Sequence, residues 1–99
     1  MKSVTVDYRV KKVECECCGQ ELPNETFTER KFEFSRQDVL EYGDWQDVME
    51  NEEDFDHHVC EYVYGTISFF AAGFFDKIIV TPKEIRKFKQ FISEIFKTS

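Results

Sequence analysis

Val4, Val6, Tyr8 and Val10 alternate with polar residues, the period of two that marks a strand with one buried face. The phase slips before Val13, and a bulge near Lys11 and Lys12 accounts for the slip. Gln20 to Glu25, with Pro23 and Asn24, reads as a loop. From Thr26 to Ser35 the alternation resumes, with Phe32 and Phe34 on one face and Phe27 on the other. Ser35 with Asp38 three residues on predicts a helix N-cap. That helix runs to Tyr42 and stops at Gly43, a residue suited to a helix end. Trp45, Val48 and Met49 then share one face of a further helical turn or two.

Val59 to Phe70 is rich in Val, Tyr, Thr, Ile and Phe, which favour strands. With Ala71-Ala72-Gly73 as a turn and Phe74 to Val80 as a return arm, the segment predicts a hairpin. A helix competes there, because a near-continuous apolar run does not settle the period. The last element is the clearest. Thr81 is an N-cap, Pro82 suits the first helical position, and Glu84 completes a capping box. Ile85, Phe88, Phe91, Ile92, Ile95 and Phe96 recur at helical spacing and form a wide apolar stripe. The pattern predicts one α+β domain over residues 1–99. Its parts are an antiparallel sheet of about four strands, a metal-binding knuckle, an acidic helical segment and a C-terminal amphipathic helix.

The 99 residues suffice for one hydrophobic core. Its apolar content argues against disorder, and 11 Phe against a single Trp predict a bulky core. No basic stretch followed by an apolar one opens the chain, so no secretory signal is expected. The apolar stretch from Tyr62 to Phe75 falls short of the roughly 20 residues of a membrane span. A cytoplasmic location is therefore expected, where four cysteines serve as metal ligands more readily than as disulfides. In a secreted chain the same four would read as two disulfides.

Cys15-Glu16-Cys17-Cys18-Gly19 contains the spacing Cys-x-x-Cys-Gly. Two intervening residues form a tight turn that brings both sulfurs to about 2.3 Å from one tetrahedral ion. Gly19 can take the positive φ that such a turn needs. The stretch resembles the knuckle of zinc-ribbon and treble-clef proteins. Cys17 is spaced wrongly for it, and Glu14, Glu16 and Glu21 oppose a reactive thiolate there. Asp56-His57-His58-Val59-Cys60 offers the remaining ligands. His57 with Cys60 is the better spaced pair, and His58 with Cys60 the alternative if the segment is a strand. Val63 stands where a second Cys-x-x-Cys knuckle would place its last cysteine. The expectation is one structural Zn2+ held by Cys15, Cys18, Cys60 and either His57 or His58, since four good ligands close the site.

The net charge of −7 is concentrated in one segment. Residues 36–61 hold ten acids against Arg36 alone. One reading is a solvated face that keeps a small protein soluble. The sharper reading is a binding surface formed by Asp38, Glu41, Asp47, Glu50 and Asp54, which recur mostly at helical steps. Such a row competes for the Lys and Arg groups that a nucleic-acid-binding protein offers to phosphates. In size and charge the chain resembles small acidic inhibitors, among them phage-encoded anti-defence proteins and toxin-immunity proteins. The alternative is a zinc-ribbon-like regulator that binds nucleic acid directly. It would use Arg9, Lys11 and Lys12 with Lys83, Arg86, Lys87 and Lys89, against the long-range repulsion of the net charge. An enzyme is not expected, because no phosphate loop, nucleophile elbow or metalloprotease helix is present.

Overall fold

A computed structural model describes residues 3–11, 27–71 and 77–97. The order of elements is β1 (Ser3–Lys11), β2 (Phe27–Ser35), α1 (Arg36–Tyr42), α2 (Trp45–Met49), α3 (Glu52–Ala71), β3 (Lys77–Ile79) and α4 (Pro82–Lys97). The fold is α+β, with a three-stranded antiparallel sheet in the order β2-β1-β3 among the described residues. In the register, Val4 stands opposite Phe34, Val6 opposite Phe32 and Arg9 opposite both Glu29 and Ile79.

Alternation along β1 and β2 gives the sheet two unlike faces. Val4, Val6 and Phe34 are buried against the helices, with Phe32 half-buried beside them. The other face carries complementary cross-strand neighbours, Asp7 opposite Lys31 and Arg9 opposite Glu29. The Arg9–Glu29 pair closes to 3.6 Å.

The hairpin expected over 59–80 does not form, because residues 59–70 belong to the helix α3. Phe55, Val59, Val63 and Ile67 follow one another at four-residue steps and all are buried. That stripe needs the helical period, and its packing outweighs the strand preference of the individual residues. Asn51 starts the helix, its Oδ1 accepting from the backbone N–H of Glu53 at 3.1 Å and of Asp54 at 3.4 Å. β3 does occupy part of the expected return arm, but its partner is β1. Three described strands therefore stand in place of about four. The Cys15–Cys18 knuckle, the Gln20–Glu25 loop and Ala72-Gly73 lie outside the described residues.

α4 matches its expectation in extent, with Phe88, Phe91, Ile92 and Ile95 buried and Ile85 and Phe96 packed at the margin. The hydroxyl of Thr81 accepts from the Glu84 N–H at 3.4 Å. Glu84 itself departs from the expected capping box. Its carboxylate is buried and accepts from the Asp7 N–H at 2.9 Å. Asp7 lies beyond the reach of the short strand β3, so α4 satisfies a backbone donor that the sheet leaves over.

Candidate functional site

The acidic segment folds as three short-range units, and each is built from its own local signals. Ser35 has extended backbone (φ −82°, ψ 154°), and its Oγ accepts from the Asp38 N–H at 3.1 Å, which starts α1. Gly43 (φ 77°) ends α1, and Asp44 follows in the left-handed region (φ 64°), a conformation that Asp tolerates better than most residues. The chain turns sharply there and re-enters a helix at Trp45. Trp45 is buried, and its Nε1–H donates to the Val39 carbonyl at 3.0 Å. That carbonyl lies in the last turn of α1, where no helical N–H reaches it. One indole thus joins α1 to α2 and satisfies a helix end. Leaving that carbonyl buried and unpaired would cost about 1–3 kcal/mol.

Around this anchor stands an aromatic cluster. The Trp45 ring meets His58 edge-on at 4.8 Å and Tyr62 at 5.4 Å, and Tyr42 lies 4.5 Å from Tyr62. Burial, with the negative charge of Asp38 next in weight, pushes the Tyr62 phenol above its usual range. The cluster holds α1 and α2 against α3, so the acidic side chains stand on a fixed frame.

On that frame Asp38, Glu41, Asp44, Asp47, Glu50, Glu52, Glu53 and Asp54 are exposed. None of these eight forms an ion pair with a base among the described residues. The other two acids of the segment are matched. Asp56 pairs with Lys89, which also lies over the Phe55 ring, and Glu61 takes His57 at 3.0 Å. The single helical row expected of Asp38, Glu41, Asp47, Glu50 and Asp54 is not what forms. Asp38 and Glu41 are on α1, Asp47 is on α2, Glu50 caps α2, and Asp54 opens α3.

The division explains much of the acidity locally. Asp38, Asp47, Glu52, Glu53 and Asp54 all occupy first helical turns, where a carboxylate complements the helix dipole. Glu50 directly precedes the Asn51 cap of α3. Glu50 is also the C-cap of α2, where its charge opposes that helix while favouring the start of α3, whereas Glu41 has no such compensation. Glu41 sits in the last turn of α1, where the dipole disfavours a negative charge and no base compensates it. Its only described partner is the Gln37 amide, which donates to Oε1 at 3.1 Å.

Of the expected metal ligands, Cys15 and Cys18 lie outside the described residues, whereas His57, His58 and Cys60 are all on α3. A helix turns about 100° per residue, so His57 and Cys60 are about 60° apart while His58 and Cys60 face nearly opposite ways. The strand geometry that favoured His58 is therefore absent. His58 turns into the aromatic cluster, where its Nε2 is buried with no hydrogen-bond partner among the described residues. His57 is exposed. Cys60 is half-buried beside a shallow groove of about 340 Å3 that includes Tyr64, Pro82 and Lys89. Burial first, and the Asp56 carboxylate second, push its thiol up, with Lys89 acting the other way. Among the described residues no group of three or more His, Cys, Asp or Glu side chains is placed to hold a metal ion.

The bases of the alternative nucleic-acid reading are partly engaged within the chain. Arg9 pairs with Glu29, Lys87 lies 3.9 Å from Glu84 and Lys89 pairs with Asp56. A groove of about 520 Å3 lined by Arg9 mixes that residue, Arg30 and Lys31 with Asp7, Glu29 and Glu84. No helix among the described residues is long and apolar enough to cross a membrane. The site is thus an acidic helical surface on an α+β frame. The chain matches no protein-family model, and no curated protein or solved structure is similar to it.

Proposed function

We propose that this protein is a non-enzymatic interaction module, an inhibitor whose acidic helical face occupies the basic, nucleic-acid-binding surface of a partner protein. The observation that carries the reading is the set of eight exposed carboxylates on α1, α2 and the start of α3 with no described base to neutralise them. Helix-end preference accounts for most of those acids, but it runs against Glu41. A charge retained against local stability supports a role outside the fold. Such a face steers a basic partner by long-range attraction and acts mainly on the association rate.

A structural Zn2+ belongs to the same proposal, held by Cys15, Cys18, Cys60 and a histidine. The geometry of α3 favours His57, which lies on the same side of the helix as Cys60. Bound there, the ion would tie the segment after β1 to the middle of α3 and contribute folding energy.

The test uses the double variant Glu41→Lys/Asp44→Asn, which removes charge at the end of α1 and at the N-cap of α2, where the Asp44 side chain makes no capping hydrogen bond and Asn keeps the left-handed backbone. Host proteins captured by the unmodified chain are compared with those captured by the variant, at low and at raised salt. The reading expects a basic protein that binds the unmodified chain, weakens with salt and is lost from the variant. Equal capture by both chains would overturn it, as would direct salt-sensitive binding of purified DNA or RNA by the unmodified chain.

A further inference from the structure

β2 is an edge strand of nine residues, and no described strand pairs with its outer side. Edges left open in this way attract further strands unless proline, a bulge, a covering element or edge charges block them, and Glu29, Arg30, Lys31 and Glu33 make the charges here selective for a register that pairs opposite signs. Residues 27–35 contain no proline, and their register with β1 is regular throughout.

The direction of the free backbone groups follows from the register. The Asp7 N–H points to Glu84, away from β2, so Asp7 and Lys31 form a non-hydrogen-bonded pair. Alternation then assigns the even-numbered residues of β2 to β1 and turns the N–H and C=O of Glu29, Lys31, Glu33 and Ser35 outward.

We propose that this edge pairs with β2 of a second copy of the chain, antiparallel about a two-fold axis through Phe32, to give a continuous six-stranded sheet. In that register Lys31 of each copy faces Glu33 of the other, and Glu29 faces Ser35. All four outward-facing residues then meet outward-facing partners, each pair able to exchange two backbone hydrogen bonds. Neighbouring symmetric registers are worse. One sets Glu29 against Glu33 and Lys31 against itself. The other sets Glu33 against itself and pairs only residues 31–35. Like charges directly opposite destabilise a sheet.

A second observation marks the same edge. Phe69 and Phe70 are 78% and 65% exposed at the end of α3, and Phe70 lies 5.1 Å from the half-buried Phe32. The two-fold axis brings the Phe32 rings together as a close, non-hydrogen-bonded pair and places this apolar patch beside the seam. Exposed aromatic area next to an open edge is what association would cover. The carboxylates of α1 to α3 lie outside this strand, so the symmetric contact puts none of them face to face within the ladder.

The test is a charge-swap cycle read by sedimentation equilibrium on the full chain, with circular dichroism to confirm that each variant folds. The unmodified chain is expected to sediment as a dimer. Lys31→Glu alone and Glu33→Lys alone should each raise the dimer dissociation constant about tenfold, since each change alters two symmetry-related pairs. Lys31→Glu/Glu33→Lys together should restore it. Lys31→Pro, which removes an outward N–H and is tolerated at a free edge, should give a folded monomer. A monomeric unmodified chain at high concentration would overturn the proposal. So would single reversals that leave association unchanged, or a double variant that fails to recover it.

Discussion

Replacing Glu41 with lysine and, separately, Asp54 with lysine adds the same charge at two exposed positions, yet the two changes should move stability in opposite directions. Glu41 lies in the last turn of α1 and Asp54 in the first turn of α3. A charge that complements a helix end contributes roughly 0.3–1 kcal/mol, and one that opposes it costs a similar amount. Lysine at 41 should therefore stabilise the fold by about 0.5–1 kcal/mol. The lost hydrogen bond from Gln37, 3.1 Å long and exposed, trims that gain by a few tenths. Lysine at 54 should destabilise by about 1 kcal/mol. In a chain of this length 1 kcal/mol moves the midpoint of thermal unfolding by about 4–8 °C. The two variants should consequently melt about 8 °C apart, with the unmodified chain between them. Melting followed by far-ultraviolet circular dichroism at low salt reads the gap, and about 0.5 M salt should narrow it through screening. If both variants rise or fall together by the same amount, general charge repulsion is at work. The argument that Glu41 is held against local stability would then fail.

Phe88 is fully buried, and its ring meets Phe34, Trp45, Tyr62 and Phe91. Phe88→Ala should cost about 3–5 kcal/mol in urea unfolding, and a loss below 1 kcal/mol would show that α4 is not a core element. One zinc per chain should co-purify, and Cys18→Ser and His57→Ala should each release it, while Cys17→Ser and His58→Ala retain it. Elemental analysis finding no metal, together with melting unchanged by chelator, would remove the zinc proposal. The Tyr62 phenol is shifted upward, so the unfolded chain ionises first as pH climbs past about 10. The stability linked to Tyr62 should be intact below that pH and decline above it, and Tyr62→Phe should lessen the decline.

The elements with start and stop signals were legible in the sequence. Ser35, Gly43, Thr81 and Pro82 mark helix ends that the fold uses, because a cap is a local hydrogen bond or a local φ preference. The alternation in β1 and β2 was legible for a related reason, since one buried face imposes a period of two. α3 was misread as a hairpin. Its stripe Phe55, Val59, Val63 and Ile67 is interleaved with Tyr62, Tyr64, Phe69 and Phe70, so the apolar pattern fills more than one face and blurs the period. The cap at Asn51 was the missed clue. The carboxylate of Glu84 was misassigned because its partner, the Asp7 N–H, is distant in sequence. Likewise the Trp45 bond to Val39 and the aromatic surroundings of His58 depend on how α1, α2 and α3 pack. The acidic composition was plain from the sequence, but its distribution over three helices was not, and that distribution singles out Glu41.

The most direct test of the inhibitor reading is displacement. The captured basic partner is loaded with a fluorescent duplex, and anisotropy is followed as this chain is added. The account predicts that the unmodified chain releases the duplex in proportion to its binding, that Glu41→Lys/Asp44→Asn does so far more weakly, and that raised salt slows the association of chain and partner. A partner that binds this chain and the duplex at the same time, with no loss of anisotropy, would contradict the claim that the acidic face occupies the nucleic-acid-binding surface.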